Sequence, residues 1–319
     1  MGTFWGKWSD FPEYIIEITK EIWEDRGVGK LNDYYSNDIV MRTPMGVSQG
    51  NKGVIASTMA TIAEFPDREL FGQDVIWSDH PQHGHLSSHR VFTRASQSSE
   101  GQFGGPSDKR FAIHVIADCA ARDGVIYDEW LVRDYGGLVR QLGHDPRSFA
   151  VSLIEAEKAA GEVKRPFSPR DDRDGGYHGT GNDNRWGHAA AQYLHDVMAS
   201  NFDGALETCD RAMLGVFPGS FKAVGRAEVV GCWTRLRASF PEAEFQIHHQ
   251  IGMDGDMMPP RAAIRWSIDA THSGWGWFGQ PTGINIHIMG ISHFEFGPWG
   301  LRREWSLFDE IAIWKQLLL

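Results

Sequence analysis

The chain has 319 residues, a formal net charge of −11, 41% hydrophobic and 23% charged residues, the composition of a folded protein long enough for two domains. The acidic balance, with no Lys/Arg cluster to reverse it locally, excludes nucleic acid and anionic membranes as partners. No apolar run reaches the roughly 18 residues of a membrane span, and residues 1–8 lack the basic and apolar regions of a secretion signal, so a cytoplasmic protein is expected.

In chain order, Tyr14, Ile15, Ile18 and Ile22 recur near helical spacing and predict an amphipathic helix. A second helix ends at Phe65-Pro66, where proline enforces the exit. Strands follow at 74–77, 89–94, 110–116 and 125–132. Residues 144–182 read as a linker, with a short helix-like stretch at 152–162 and then a run rich in Pro, Gly and mixed charge at 164–176. The pattern then recurs, with a helix marked by Ala190, Tyr193, Leu194 and Val197, a second helix ending at Phe240-Pro241, and further strands.

The recurrence is a duplication. An offset of 175 aligns residues 50–134 with 225–309 without a gap and gives about 20 identities in 85 columns, against roughly five expected from average residue usage. Among the matches are Arg90 with Arg265, Phe103-Gly104 with Phe278-Gly279, Glu129-Trp130 with Glu304-Trp305 and Asp134 with Asp309. Domain one is expected at 8–143 and domain two at 183–319. Helices first and a curved antiparallel sheet afterwards make an α+β layout, a helix-backed cone with a pocket at its mouth.

Copy one closes on an Asp123-Gly124 turn, a strand carrying Trp130 and Asp134, and a short helix ending Gln141-Leu142-Gly143. Copy two carries Thr271-His272-Ser273-Gly274 followed by Gly279-Gln280-Pro281-Thr282-Gly283. Together these resemble the SnoaL-like polyketide cyclases of the NTF2-like (cystatin-like cone) superfamily. The resemblance covers about four fifths of the chain. It implies two NTF2-like domains and a pocket where a carboxylate acts as general acid/base on a small, mostly apolar carbonyl compound, as in aldol cyclisation or isomerisation. Neither metal nor organic cofactor is implied. Because proteins of this fold commonly pair through their sheets, the tandem is expected to pair internally as a pseudo-dimer, with further homo-oligomerisation open. The family's key Asp, directly after the Trp of the last strand, falls on Leu131 and Ser306. Its His falls on Ala117 and Ser292, and Gln97 replaces His272 in copy one.

A replacement acid must therefore come from elsewhere. Side chains two apart on a strand share a face, so Glu129 and Glu304 should look into the cones beside Leu131 and Ser306. They are candidate general bases, or else sheet residues paired with Arg133, Arg303 or Arg265. Asp134 and Asp309 stand where a carboxylate caps the closing helix, and they are kept as further acid candidates. His272 and Asp269 form a possible couple, although their strand parity is opposite and a bulge would be needed. Trp266, Trp275, Trp277 and Trp305, with Ser292 and Ser306, are candidate substrate-binding residues, set against plain core or interface packing. Copy two, which retains His272 and Glu304, is the expected site. His287 and His293 are expected to face a helix or a partner surface. The run from His80 to His89 reads as a solvated hairpin loop, not a metal site. Cys119, Cys209 and Cys232 are odd in number and widely spaced, hence buried thiols. The rival to an enzyme is a non-catalytic tandem that binds a hydrophobic ligand or a partner protein.

Overall fold

The computed structural model describes residues 6–319, so most of the N-terminal stretch 1–8 considered above lies outside the described residues. Copy one opens with α1 (Phe11–Thr19), capped by Asp10, whose carboxylate accepts from the Glu13 N–H at 2.8 Å. This helix buries Phe11, Tyr14, Ile15 and Ile18 and runs on into a π-helical turn at Lys20–Glu24. Next come α2 (Leu31–Tyr34), β1 (Tyr35–Thr43), β2 (Gly46–Gln49) and α3 (Asn51–Glu64). The copy finishes with β3 (Glu69–His80), β4 (Gly84–Ser96), β5 (Arg110–Arg122), β6 (Val125–Arg133) and α4 (Tyr135–Gln141).

Copy two repeats the plan: α6 (Arg185–Met198), α7 (Phe202–Thr208), β7 (Cys209–Phe217), β8 (Phe221–Val224), α8 (Arg226–Ser239), β9 (Glu244–Gly255), β10 (Met258–Thr271), β11 (Asn285–Gly297), β12 (Gly300–Phe308) and α9 (Glu310–Leu318). Five pairs of elements, β2/β8, α3/α8, β3/β9, β5/β11 and β6/β12, begin and end 175 residues apart, the offset read from the sequence. Even the residue before the second helix is duplicated. Gly50 and Gly225 have φ of 97° and 85°, which side-chain-bearing residues rarely adopt.

Among the described residues each copy forms one six-stranded sheet, ordered β2-β1-β6-β5-β4-β3 and β8-β7-β12-β11-β10-β9. All neighbours are antiparallel except β1 with β6 and β7 with β12, so the sheets are mixed, where a purely antiparallel one was expected. The parallel pair arises because β1 precedes the helix α3 and returns beside the last strand. Between the copies, α5 (Pro146–Ala159) starts six residues before the helix-like stretch expected at 152–162. The Asp145 carboxylate caps it at the Ser148 N–H, 2.9 Å away, and Pro146 occupies its first turn. It packs on α9, where Lys315 meets Glu157 at 2.6 Å. The remaining strap lies over both sheets through Phe167 and Tyr177. No helix among the described residues is long and apolar enough to cross a membrane.

The sheets meet face to face, and the contact is reciprocal. Arg90 stacks on Trp305 at 3.5 Å, and its repeat mate Arg265 stacks on Trp130, the mate of Trp305, at 3.6 Å. Arg265 pairs with Asp118 at 2.9 Å. Arg90 lies 3.3 Å from His293, which occupies the position matching Asp118 and also meets Ser88 at 2.9 Å. One ancestral contact is thus made twice, as in a twofold interface. All four of these arginine and partner side chains are buried.

Removing one partner of a buried ion pair strands the other charge, at about 3–5 kcal/mol. Arg265→Ala should therefore cost about that much in urea-unfolding free energy. Arg90→Ala should cost less, because His293 is kept neutral by burial and Glu295, 4.0 Å from Arg90, retains Arg303 at 3.2 Å.

Candidate functional site

Alternation along the strands divides each sheet between two duties. In copy one the even positions Arg90, Asp118 and Trp130 face the partner sheet, so the odd positions face the cone. Register places these in rows across β4, β5 and β6: Ser87, Cys119 and Glu129; then His89, Ala117 and Leu131; then Val91, Val115 and Arg133. All of these but Ser87, with Ile15, Ile18 and Trp23 from the first helix and its continuation and Tyr35, Arg68 and Leu70, line a narrow cavity of about 60 Å³ that opens to solvent.

Four kinds of polar group enter an otherwise apolar space. Glu129 is buried, and that desolvation pushes its carboxyl up to about 7. The Arg133 charge and the Tyr35 phenol offset part of the effect, while the neighbouring Asp128 adds to it. Its Oε2 has no hydrogen-bond partner among the described residues. His89 is also buried, which depresses its imidazole to about 4 and keeps it neutral at pH 7. Its Nδ1 lies 3.2 Å from the Ser87 hydroxyl. Burial pushes the Cys119 thiol far above its ordinary range. Arg68 and Arg133 complete the set. Glu129 and His89 sit on strands about 10 Å apart, two strand spacings, so a ligand between them, and not a direct bond, would join them.

Copy two shows why the same fold leaves no comparable space around Glu304. At the offset of 175, Thr58 becomes Trp233, Leu70 becomes Phe245, Val91 becomes Trp266, Cys119 becomes Phe294 and Arg133 becomes Phe308. These rings fill one core, with Trp233 and Trp266 edge to face at 5.7 Å. Gly290 accommodates the Trp266 indole so closely that a Cβ there would lie 2.2 Å from it. Glu304 is fully buried and saturated, accepting from Tyr193 Oη at 2.9 Å, Trp233 Nε1 at 2.9 Å and Ser306 Oγ at 2.5 Å. Ser306 meets Ser292 at 2.7 Å, and Ser292 accepts from Trp266 Nε1 at 2.9 Å. The positions matching the family's acid and histidine thus form a closed hydrogen-bond chain in copy two. The open space lies in copy one, not in the copy where the sequence led us to expect it.

The remaining candidates scatter. Asp134 caps α4 at the Gly137 N–H (2.9 Å) and reaches across to the Gly219 and Ser220 N–H groups, both at 2.7 Å. Asp309 caps α9 at Ile311, 2.8 Å away. Asp269 and His272 are not brought together. Asp269 pairs with His287 at 2.8 Å, while His272 sits in the hairpin between β10 and β11, 3.2 Å from Thr282. The opposite parity of the two residues decides this, since no bulge intervenes. Trp275 is 70% exposed, whereas Trp277 donates to Glu310 at 2.7 Å, beside Arg140 of copy one. Trp305 belongs to the sheet interface.

The run from His80 to His89 is less solvated than expected. His83 packs against Tyr177 and His178 of the strap, His85 packs on Phe11 and Trp77, and His89 is a buried strand residue. Among the described residues, no three His, Cys, Asp or Glu side chains are disposed to hold a metal ion. Sequence reasoning missed His89, Arg68 and Tyr35 as site residues. For His89 a signal existed, because it shares strand parity with the inward-facing Val91.

A family model described as SnoaL-like polyketide cyclase matches residues 188–317. The match lies within copy two, and the repeat and the two six-stranded sheets make the chain a tandem of two α+β domains. Similar solved structures include IdmH of Streptomyces antibioticus, 23% identical with a TM-score of 0.35, covering 40% of this chain and 95% of its own. TsrD of Streptomyces laurentii is 19% identical with a TM-score of 0.35, covering 40% and 92%. A SnoaL-like protein of Jannaschia sp. CCS1 is 12% identical with a TM-score of 0.36, covering 43% and 96%. No curated protein matches the sequence.

Burial also pushes the Glu304 carboxyl up to about 7, from 4.5. The folded state then binds a proton more tightly than the unfolded one, so this contribution to stability is present below pH 4.5 and lost as pH rises to about 7. Urea-unfolding free energies should therefore fall more steeply across that window in the wild type than in Glu304→Gln.

Proposed function

We propose that copy one is the working site of a SnoaL-like acid/base enzyme, acting on a small, mostly apolar, polyketide-like carbonyl compound. The observation that carries this reading is Glu129, a buried carboxylate poised near neutrality with one oxygen unpartnered, in an open cavity of apolar walls. A carboxyl with a pKa near the working pH is partly ionised yet basic enough to remove a proton beside a carbonyl. Glu129 takes that proton as the electron pair moves onto the carbonyl oxygen, and it returns the proton after the carbon framework has rearranged. His89, neutral and with Ser87 at its Nδ1, is the donor available to the developing enolate oxygen. The Ile15, Ile18 and Val115 walls exclude water and keep the carboxylate basic. Chemistry of this kind needs only the chain's own residues for the proton transfers. In this reading copy two, with Glu304 locked in its hydrogen bonds, holds the fold and the interface.

Proton abstraction can be followed without knowing the natural substrate. Deuterium exchange at the α-carbon of a small apolar β-keto ester, read by NMR, should be accelerated by the wild type. The rate should rise with pH through about 7 as Glu129 ionises. Glu129→Gln should lower it about 100-fold or more with the melting temperature little changed, whereas Glu304→Gln should retain it. Undiminished exchange in Glu129→Gln would end this assignment.

A further inference from the structure

The copy-one cavity contains two charges that proton transfer does not use. Arg68 and Arg133 line it and also line the adjoining depression walled by Glu64, Phe103 and Phe111, so both guanidiniums stand where the two spaces join. Most buried arginines elsewhere in the protein meet a carboxylate: Arg42 meets Asp128, Arg261 meets Asp74, Arg265 meets Asp118 and Arg90 has Glu295 at 4.0 Å, while Arg237 is held by the Phe240 and Pro241 carbonyls. Among the described residues, no carboxylate lies within ion-pair distance of Arg68 or Arg133. Burial, and next the like charge of Arg133, pull the Arg68 guanidinium below its ordinary range; the Tyr135 phenol opposes this in part and Arg26 adds to it. Its Nε donates to Thr93 Oγ1 at 3.0 Å, which holds the side chain at the wall the two spaces share.

Two like charges held together in a half-buried site repel. The duplication supplies the control. At the offset of 175 the two positions are Ala243 and Phe308, so the copy with the filled interior carries neither charge. The positive pair accompanies the open space.

We propose that Arg68 and Arg133 form an anion subsite of this cavity, and that its ligand is an apolar molecule bearing a carboxylate. The planar guanidinium fork matches the two carboxylate oxygens. The apolar body then lies along Leu70, Val91 and Val115, toward Glu129. This inference rests on the reading of the copy-one cavity as the substrate site and specifies the substrate class.

Isothermal titration calorimetry of the full chain tests it, using 2-naphthoate, decanoate and 4-phenylbutyrate, each against its primary amide, with inorganic phosphate as a separate titrant. At least one carboxylate should bind about tenfold or more tighter than its amide. That preference should disappear in Arg68→Met and Arg133→Met, survive in part in the double lysine variant, and be kept in Glu129→Gln. Arg68→Met should melt at or above the wild-type temperature, since it relieves repulsion with Arg133, and this separates a binding role from a structural one. Absence of a carboxylate preference in all three pairs, its persistence in both methionine variants, or phosphate binding as tightly as the carboxylates would overturn the proposal. Exchange that depends on Glu129 without a carboxylate preference would remove only the anion subsite. The preference without such exchange would remove only the acid/base assignment.

Discussion

The reciprocal stacking of Arg90 on Trp305 and of Arg265 on Trp130 is the constraint on which the rest of the structure depends. It commits one face of each sheet to the other copy. Period-two alternation then leaves the opposite residues to face the helices, so the inventory of each cone follows from the interface. In copy one Glu129, Leu131 and Arg133 are inward because Trp130 and Val132 are not. An odd offset exchanges parity, so in copy two Glu304, Ser306 and Phe308 are inward while Trp305 and Leu307 make the contact. The two copies have also diverged across that contact. Asp118 gives Arg265 a close charged partner at 2.9 Å, whereas the matching His293 gives Arg90 a neutral ring, with Glu295 farther off at 4.0 Å.

Much of this was legible in the sequence because duplication is its own alignment. An ungapped offset of 175 fixed which strand corresponds to which, and parity placed Glu129 and Glu304 inside the cones. The helix that begins at Asp145-Pro146 was readable in principle, since an acidic cap followed by proline is a start signal. What one strand at a time does not reveal is the packing between sheets. Nothing local in residues 118 and 265 indicates that they meet, and the strap residues Phe167 and Tyr177 find their places only once both sheets exist. The parallel pairing of β1 with β6 was hidden for the same reason, because it joins the beginning of a domain to its end.

The position of the cavity was read at a different level. Retention of His272 pointed to copy two, but one histidine in a hairpin says little about whether a cavity exists. The deciding signal is volume: Thr58, Val91 and Cys119 against Trp233, Trp266 and Phe294. These pairs were visible in the same alignment that revealed the repeat. Comparing the copies by side-chain size, rather than by which family residues each retained, picks out the open cone directly.

Size also explains how one chain can carry an open site. Close-packed interiors are stabilised by large buried aromatics, whereas a cavity with an unpartnered carboxylate oxygen and two unmatched guanidiniums works against stability. A single small cone has little core in which to absorb that cost. Here the filled copy supplies a core built on Trp233, Trp266, Phe294 and Phe308, and the interface rigidly couples it to the open one through Arg265 and Asp118. In copy two Ser292 and Ser306 form a pair that closes a hydrogen-bond chain to Glu304, so this interior is scaffold. The cost of the buried, unmatched groups in one domain is thereby carried by its duplicate. Loss of the cavity in one copy is then the structural condition that lets the other keep its buried charges.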